Sequence, residues 1–297
     1  MDFIKSLVRK SKRAGELRKS LENIGSTVHL KQLVGGAYSL YAADVVERKG
    51  GIHIFLADDR DSAAYLLNDL YELLDEERVH FFSSAFKRSA AYGAEDAQGV
   101  VRRTAALNAV AGFQRGYLVI CTYPEALAET VADRVDLEHL SRKIRRGARL
   151  SQDEFVGWLQ EHDFERVDFV YEPGQYSVRG GIVDVFSYVE SKPYRIDFFG
   201  DEVDSLRRFD ISSQLSSERP EEVEIVPNMM RKGDDERVSL ARFVGRATWW
   251  MSDGDYALRK VMDVRRRCLE QASDEEDARA IAARLTSRPR LIEDLEL

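Results

Sequence analysis

Cysteine is nearly absent: Cys121 and Cys268 are the only two in 297 residues. Two thiols cannot build a disulfide framework or a cysteine-ligated metal centre, and a reducing, cytoplasmic home is the simplest expectation. Long apolar runs are missing too. None approaches the ~18 residues a membrane-spanning helix needs, so no membrane partner is expected. The opening MDFIKSLVRKSKR has no apolar core and no small-residue cleavage site of the secretory kind. The five histidines (His29, His53, His80, His139, His162) are scattered without the pairing that collects a metal, and they read as surface or strand residues. The motifs GxxxxGK[ST], GxSxG, HExxH, CxxC and GxGxxG do not occur. Neither a metal nor a cofactor is therefore expected, and the chain does not read as an enzyme. The acidic Asp274-Glu275-Glu276-Asp277 lacks a preceding apolar strand and reads as a solvated helix start.

What is present is an ordinary globular composition. Hydrophobic residues make up 44% and charged residues 32%, which excludes wholesale disorder. The length suggests about two domains. Lys and Arg total 44 against 52 Asp and Glu, a net charge of −8, so broad non-specific nucleic-acid binding is disfavoured while a local basic patch stays open.

Residues 1–25 read as one basic amphipathic helix, with Phe3, Ile4, Leu7 and Val8 on one face and Gly25 as its stop. From 28 to about 130, strands alternate with helices: Ile52–Ala57, a helix carrying Ala63 to Leu74, Val79–Phe82, a helix over Val100–Val110, then Tyr117–Cys121. That alternation implies βαβ units and a parallel sheet. Near residue 135 the texture changes. A basic run over 142–149 leads to the capping box Ser151-Gln152-Asp153-Glu154 and a short helix. Close-spaced strands follow at Val167–Val170, Gln175–Arg179, Ile182–Phe186, Tyr194–Phe199 and Val203–Phe209, the pattern of an antiparallel α+β insert. The polar stretch 212–222 reads as a linker. Beyond it, Val223–Val226 and Ala247–Met251 read as strands and Tyr256–Gln271 and Glu275–Leu285 as helices. The expected organisation is 1–25 as the helix, 26–132 plus 213–297 as an α/β domain, and 133–212 as the insert.

The insert carries the most informative pattern. Along Tyr194-Arg195-Ile196-Asp197-Phe198-Phe199, alternation puts Tyr194, Ile196 and Phe198 on a core face and Arg195, Asp197 and Phe199 on the other. Gln175–Arg179 repeats this, with Tyr176 and Val178 inward and Ser177 and Arg179 outward, and Gly180-Gly181 permits a tight turn that aims Arg179. Arginine and an aromatic on a rigid exposed face are the material of an interaction hot spot, although scattered surface arginines and a lone exposed phenylalanine give the same pattern.

The runs Tyr176 to Phe186 (YSVRGGIVDVF), Pro193 to Phe199 (PYRIDFF) and Asp201 to Asp210 (DEVDSLRRFD) resemble the UvrA-binding domain of bacterial transcription-repair coupling factors (Mfd). The excision-repair protein UvrB carries a related module. The match is ordered and dense over a span of about 35 residues, and the wording favours the coupling factors over UvrB. The resemblance implies a UvrB-like region in which a degenerate helicase-like, P-loop-type parallel-sheet α/β domain is interrupted by an α+β antiparallel-sheet insert that binds UvrA. In the aligned loop Gln32 to Ser39, Gln32 and Ala37 stand where the nucleotide-binding pattern has glycines, and Tyr38 stands in place of its lysine. The phosphate cradle is then lost. Within the family, Arg179, Arg195 and Phe199 match residues that contact UvrA. The resemblance also implies that a C-terminal domain of the full protein covers this surface, and that RNA polymerase and DNA are partners of its other parts. Segment 83–99 departs from the family wording.

The resulting expectation is a non-catalytic recruitment module of nucleotide excision repair. Two other readings stay open. One is a DNA-contacting remnant helicase domain using the basic run 142–149 and the N-terminal helix; the other is an enzyme with an unusual phosphate site near Gly35-Gly36.

Overall fold

The computed structural model describes residues 2–23, 25–86, 96–133, 141–229 and 237–287. The chain opens with two helices, α1 (Asp2–Lys10) and α2 (Lys12–Ser20), where the sequence suggested one. Ser11 divides them: its extended backbone breaks the run, and its hydroxyl accepts from the Ala14 amide at 3.1 Å. A hydroxyl that can satisfy a free amide locally makes a new helix start as favourable as continuation.

Helix α3 (Ala37–Lys49) leads into a parallel sheet of β1 (Gly51–Leu56), β2 (Val79–Phe81), β3 (Tyr117–Thr122) and β14 (Ala247–Met251), in the order β14-β1-β3-β2. Helices α4 (Arg60–Leu73) and α5 (Ala97–Ala111) make the crossovers within this sheet. Strand β1 is buried from Ile52 to Leu56, so it reads as a continuous apolar run rather than an alternation. Its partners lie in register on both sides, with Phe55 opposite Trp250 and Cys121. The pairing of β14 with β1 returns this C-terminal strand to the first core. The short α6 (Pro124–Ala128), β4 (Val131–Ala132) and β13 (Arg237–Val238), with α8 (Leu240–Val244), α9 (Gly254–Glu270) and α10 (Glu275–Ala283), complete this part. Asp274 caps α10, its carboxylate accepting from the Asp277 amide at 2.9 Å, so the acidic tetrad is a helix start.

The second core lies under a six-stranded sheet in the order β11-β10-β9-β8-β7-β6. These are β6 (Glu165–Arg166), β7 (Gln175–Arg179), β8 (Ile182–Val185), β9 (Tyr194–Phe199), β10 (Glu202–Phe209) and β11 (Ser216–Glu218). All neighbours pair antiparallel except β6 with β7. Helix α7 (Gln152–Glu161) covers one face, with Phe155 and Leu159 fully buried beside Tyr176, Val183, Tyr194 and Ile196. Its capping box forms: the Ser151 hydroxyl accepts from the Glu154 amide at 3.1 Å.

Three local expectations change. The strand expected over 167–170 is instead the two-residue β6. The Val167 amide still bonds the Tyr176 carbonyl at 2.9 Å, after which the chain leaves the sheet. The stretch 212–222 is not only linker, because Ser216–Glu218 adds a short edge strand to β10. Finally, β12 (Glu222–Ile225) pairs with β5 (Arg142–Arg145), and Val223 and Ile225 enter the second core, past residue 212. In each case pairing with a partner strand decides, and period alone does not reveal it. Part of segment 83–99 (residues 87–95), as well as His139, lies outside the described residues.

Candidate functional site

The outward face of the six-stranded sheet is set by its hairpin registers. Gly180-Gly181 closes a two-residue turn in which Arg179 pairs with Ile182, and Ser177 is thereby placed opposite Asp184. Gly180 takes φ +60°, and a Cβ on Gly181 would meet the Phe198 carbonyl oxygen at 2.9 Å, so the turn and the close strand approach both favour glycine. On the other side of β8, Asp184 faces Arg195 and Ile182 faces Asp197.

Arg179, Arg195 and Phe199 all reach this face, in different ways. Phe199 is 84% exposed, the most exposed aromatic side chain among the described residues. It stands at the end of β9 beside the Gly180-Gly181 turn, where the Phe198 amide bonds the Gly181 carbonyl at 2.8 Å. Arg179 ends β7 at the same end of the sheet; its guanidinium lies 5.4 Å from the Phe169 ring centroid. Arg195 is less open than alternation suggested. Its side chain is 15% exposed, and its guanidinium stacks 4.4 Å over the ring of buried Phe209.

Both arginines converge on one carboxylate. Arg195 donates to Asp184 through Nε at 2.7 Å and Nη2 at 2.8 Å, while Arg179 donates to Asp184 through its own Nη2. Arg195 Nη2 also donates to Gln214 Oε1 at 3.2 Å. Hydrogen bonding to Asp184 is the leading reason the Arg195 pKa is held above the ordinary arginine range. Asp184 is 1% exposed, and a carboxylate so buried persists only when paired and hydrogen-bonded. Beside it, Asp197 accepts from Arg207 at 2.5 Å and from the Ser205 hydroxyl. Asp184 and Gln214 escaped the sequence reading. The signal for Asp184 was available, since a two-residue Gly-Gly turn fixes which β8 residues share a face with Arg179. Gln214 had none, because it comes from a loop.

The loop residues Gln32, Ala37 and Tyr38 are not gathered into a site. Gln32 is exposed with φ 61°, and Ala37 begins α3. Tyr38 turns into the first core, edge-on to Phe55 at 6.3 Å and to Trp250 at 6.2 Å, and burial pushes its phenol pKa upward. The basic run is answered locally: Arg142 pairs with Glu154, Arg145 with Glu222, and Arg146 with Glu221 at 3.6 Å. On the N-terminal helices, Lys5 and Arg9 pair with Glu47, and Arg18 with Asp44. Among the described residues, no His, Cys, Asp and Glu group could hold a metal, and no helix is long and apolar enough to cross a membrane.

Residues 143–230 match the UvrB interaction domain, a stretch that holds the arginine cluster and Phe199. The transcription-repair-coupling factor of Escherichia coli (strain K12) is 29% identical over 221 residues, 74% of this chain and 19% of that protein. The chain is thus similar to the transcription-repair-coupling factors, in their N-terminal UvrB-like region. The factor of Haemophilus influenzae is 26% identical over 220 residues, 74% of this chain and 19% of that protein. That of Staphylococcus aureus (strain USA300) is 26% identical over 172 residues, 58% of this chain and 14% of that protein. The chain thus spans about a fifth or less of the coupling factors it matches. Its UvrB interaction domain takes in β12 as well as the six-stranded sheet.

Proposed function

We propose that this chain is a non-catalytic recruitment module of transcription-coupled nucleotide excision repair, which binds UvrA through the outward face of its insert. The observation that carries the reading is Phe199, 84% exposed beside Arg179 on a rigid sheet inside the UvrB interaction domain. A monomeric surface gains nothing from a bare phenylalanine there, whereas an interface gains a desolvated anchor. Arg179 supplies the oriented charge, since guanidinium and carboxylate pair through two parallel bonds.

The domain division belongs to the same proposal. Residues 26–132 with the C-terminal part form a degenerate helicase-like α/β domain, and the insert runs from about 133 through β12. Tyr38 supports the degenerate part, because an aromatic ring packed into the core supplies no cation for a phosphate. In the full protein this surface is covered by a C-terminal domain until it is needed, and RNA polymerase and DNA engage other parts.

Titration calorimetry of UvrA against the wild type and Phe199→Ala tests the reading. Truncating so exposed a ring leaves the melting temperature unchanged and weakens binding by about 1–4 kcal/mol. Equal affinity of the two proteins would remove Phe199 from the interface.

A further inference from the structure

The two arginines are not independent surface charges, because one buried carboxylate holds both. Asp184 accepts from Arg195 on both oxygens and from Arg179 on one. Among the described residues no other side chain is seen to hold it: its cross-strand neighbour Ser177 is buried, and the Ser177 hydroxyl has no hydrogen-bond partner there. Asp197, the next carboxylate on β9, pairs with Arg207. The local sum is therefore two guanidinium charges against one carboxylate, a net +1.

The arginines differ in what they have left. Arg195 has Nε and Nη2 occupied, its plane rests on Phe209, and its Nη2 also holds Gln214. Arg179 is tied through Nη2 alone, and its side chain is 41% exposed. Its Nε and Nη1 carry no hydrogen bond among the described residues, and Nη2 has a second hydrogen, so one two-donor edge of the guanidinium remains for an incoming group. Arg195 acts mainly as a strut that fixes Asp184, and Asp184 fixes Arg179. A long side chain already held in place loses less freedom on binding than a free one.

We propose that Asp184 is the positioning residue of this pair, and that the pair meets its partner as one unit of net charge +1 that takes a single carboxylate. The proposal rests on the UvrA reading above and adds to it the chemistry of the contact. A competing view, in which Asp184 merely sequesters the arginines from the partner, gives the opposite sign on removal of the charge.

Asp184→Asn keeps the shape of the buried side chain and removes its charge. Positioning predicts that UvrA affinity falls about tenfold or more, although the surface gains a positive charge. It also predicts that the Arg195 Nε–H resonance, protected in the wild type by the Asp184 bond, exchanges faster with water. Unchanged or tighter binding by a folded Asp184→Asn would overturn the proposal. If that variant does not fold, a cycle of Arg179→Ala, Arg195→Ala and the double variant decides. A shared Asp184 requires the double variant to lose much less than the product of the single losses, and a clean product overturns the proposal. Loss of affinity in none of Arg179→Ala, Arg195→Ala and Phe199→Ala would instead defeat the docking reading. The positioning claim is then decided by whether the Arg179 and Arg195 side-chain resonances shift together in Asp184→Asn, and independent behaviour refutes it.

Discussion

At the scale of single residues, Arg195 shows why charge alone does not describe the face. Its guanidinium makes a two-point contact with Asp184, a third bond to Gln214 and a stack on Phe209. Lysine carries the same charge but has no planar fork, and it would leave one oxygen of the buried carboxylate short of a donor. Arg195→Lys should lower the unfolding free energy by about 1–3 kcal/mol in urea titrations, because a buried charged acceptor loses a bond. UvrA affinity should fall with it. A variant as stable as wild type would mean that Asp184 finds another donor. Period two, a property of the chain itself, puts Arg179, Arg195 and Phe199 on one side of the sheet. It could not grade their exposure. Arg195 is only 15% exposed along its side chain because Phe209 and Gln214, which come later in the sequence, pack against and bond its guanidinium, while Phe199 stays 84% exposed.

At the scale of elements, the sequence was most readable where local chemistry decides. The capping box at Ser151, the Asp274 cap and the apolar strand β1 formed as read. It was least readable where a segment's state depends on the strand it pairs with, close by as in β11 against β10 or distant as in β12 against β5. His53 illustrates the same coupling. It is fully buried on β1, where its Nδ1 accepts from the Trp250 indole on β14 at 3.1 Å while its Nε2 bonds the Gly50 carbonyl at 3.0 Å. The indole donor requires an unprotonated Nδ1. Burial lowers the His53 pKa from 6.5 to about 4. In the unfolded chain this imidazole takes up a proton below about pH 6.5, whereas in the folded protein it stays neutral until about pH 4. Its contribution to stability is therefore complete above pH 6.5 and is lost as the pH falls toward 4. Between about pH 7.5 and pH 5 the loss is about 2 kcal/mol. Chemical denaturation at those two pH values should show a loss in His53→Gln that is smaller than in the wild type by about that amount, and equal pH dependence in the two would contradict the assignment.

At the scale of the whole molecule, two cores share one chain. One surrounds the parallel sheet and contains Tyr38; the other lies between α7 and the insert sheet and supports the arginine cluster. The proposed recruitment role needs the second and asks no chemistry of the first. Titration of ATP with Mg²⁺ into the chain should accordingly give no binding heat, and saturable heat would restore a nucleotide site near Gly35-Gly36. The most direct test of the recruitment claim is retention of purified UvrA by this chain, run beside its Arg179→Ala/Phe199→Ala double variant. Retention by the wild type is expected, with its loss in a double variant that still melts cooperatively. Equal retention by both, or none by the wild type, would contradict it.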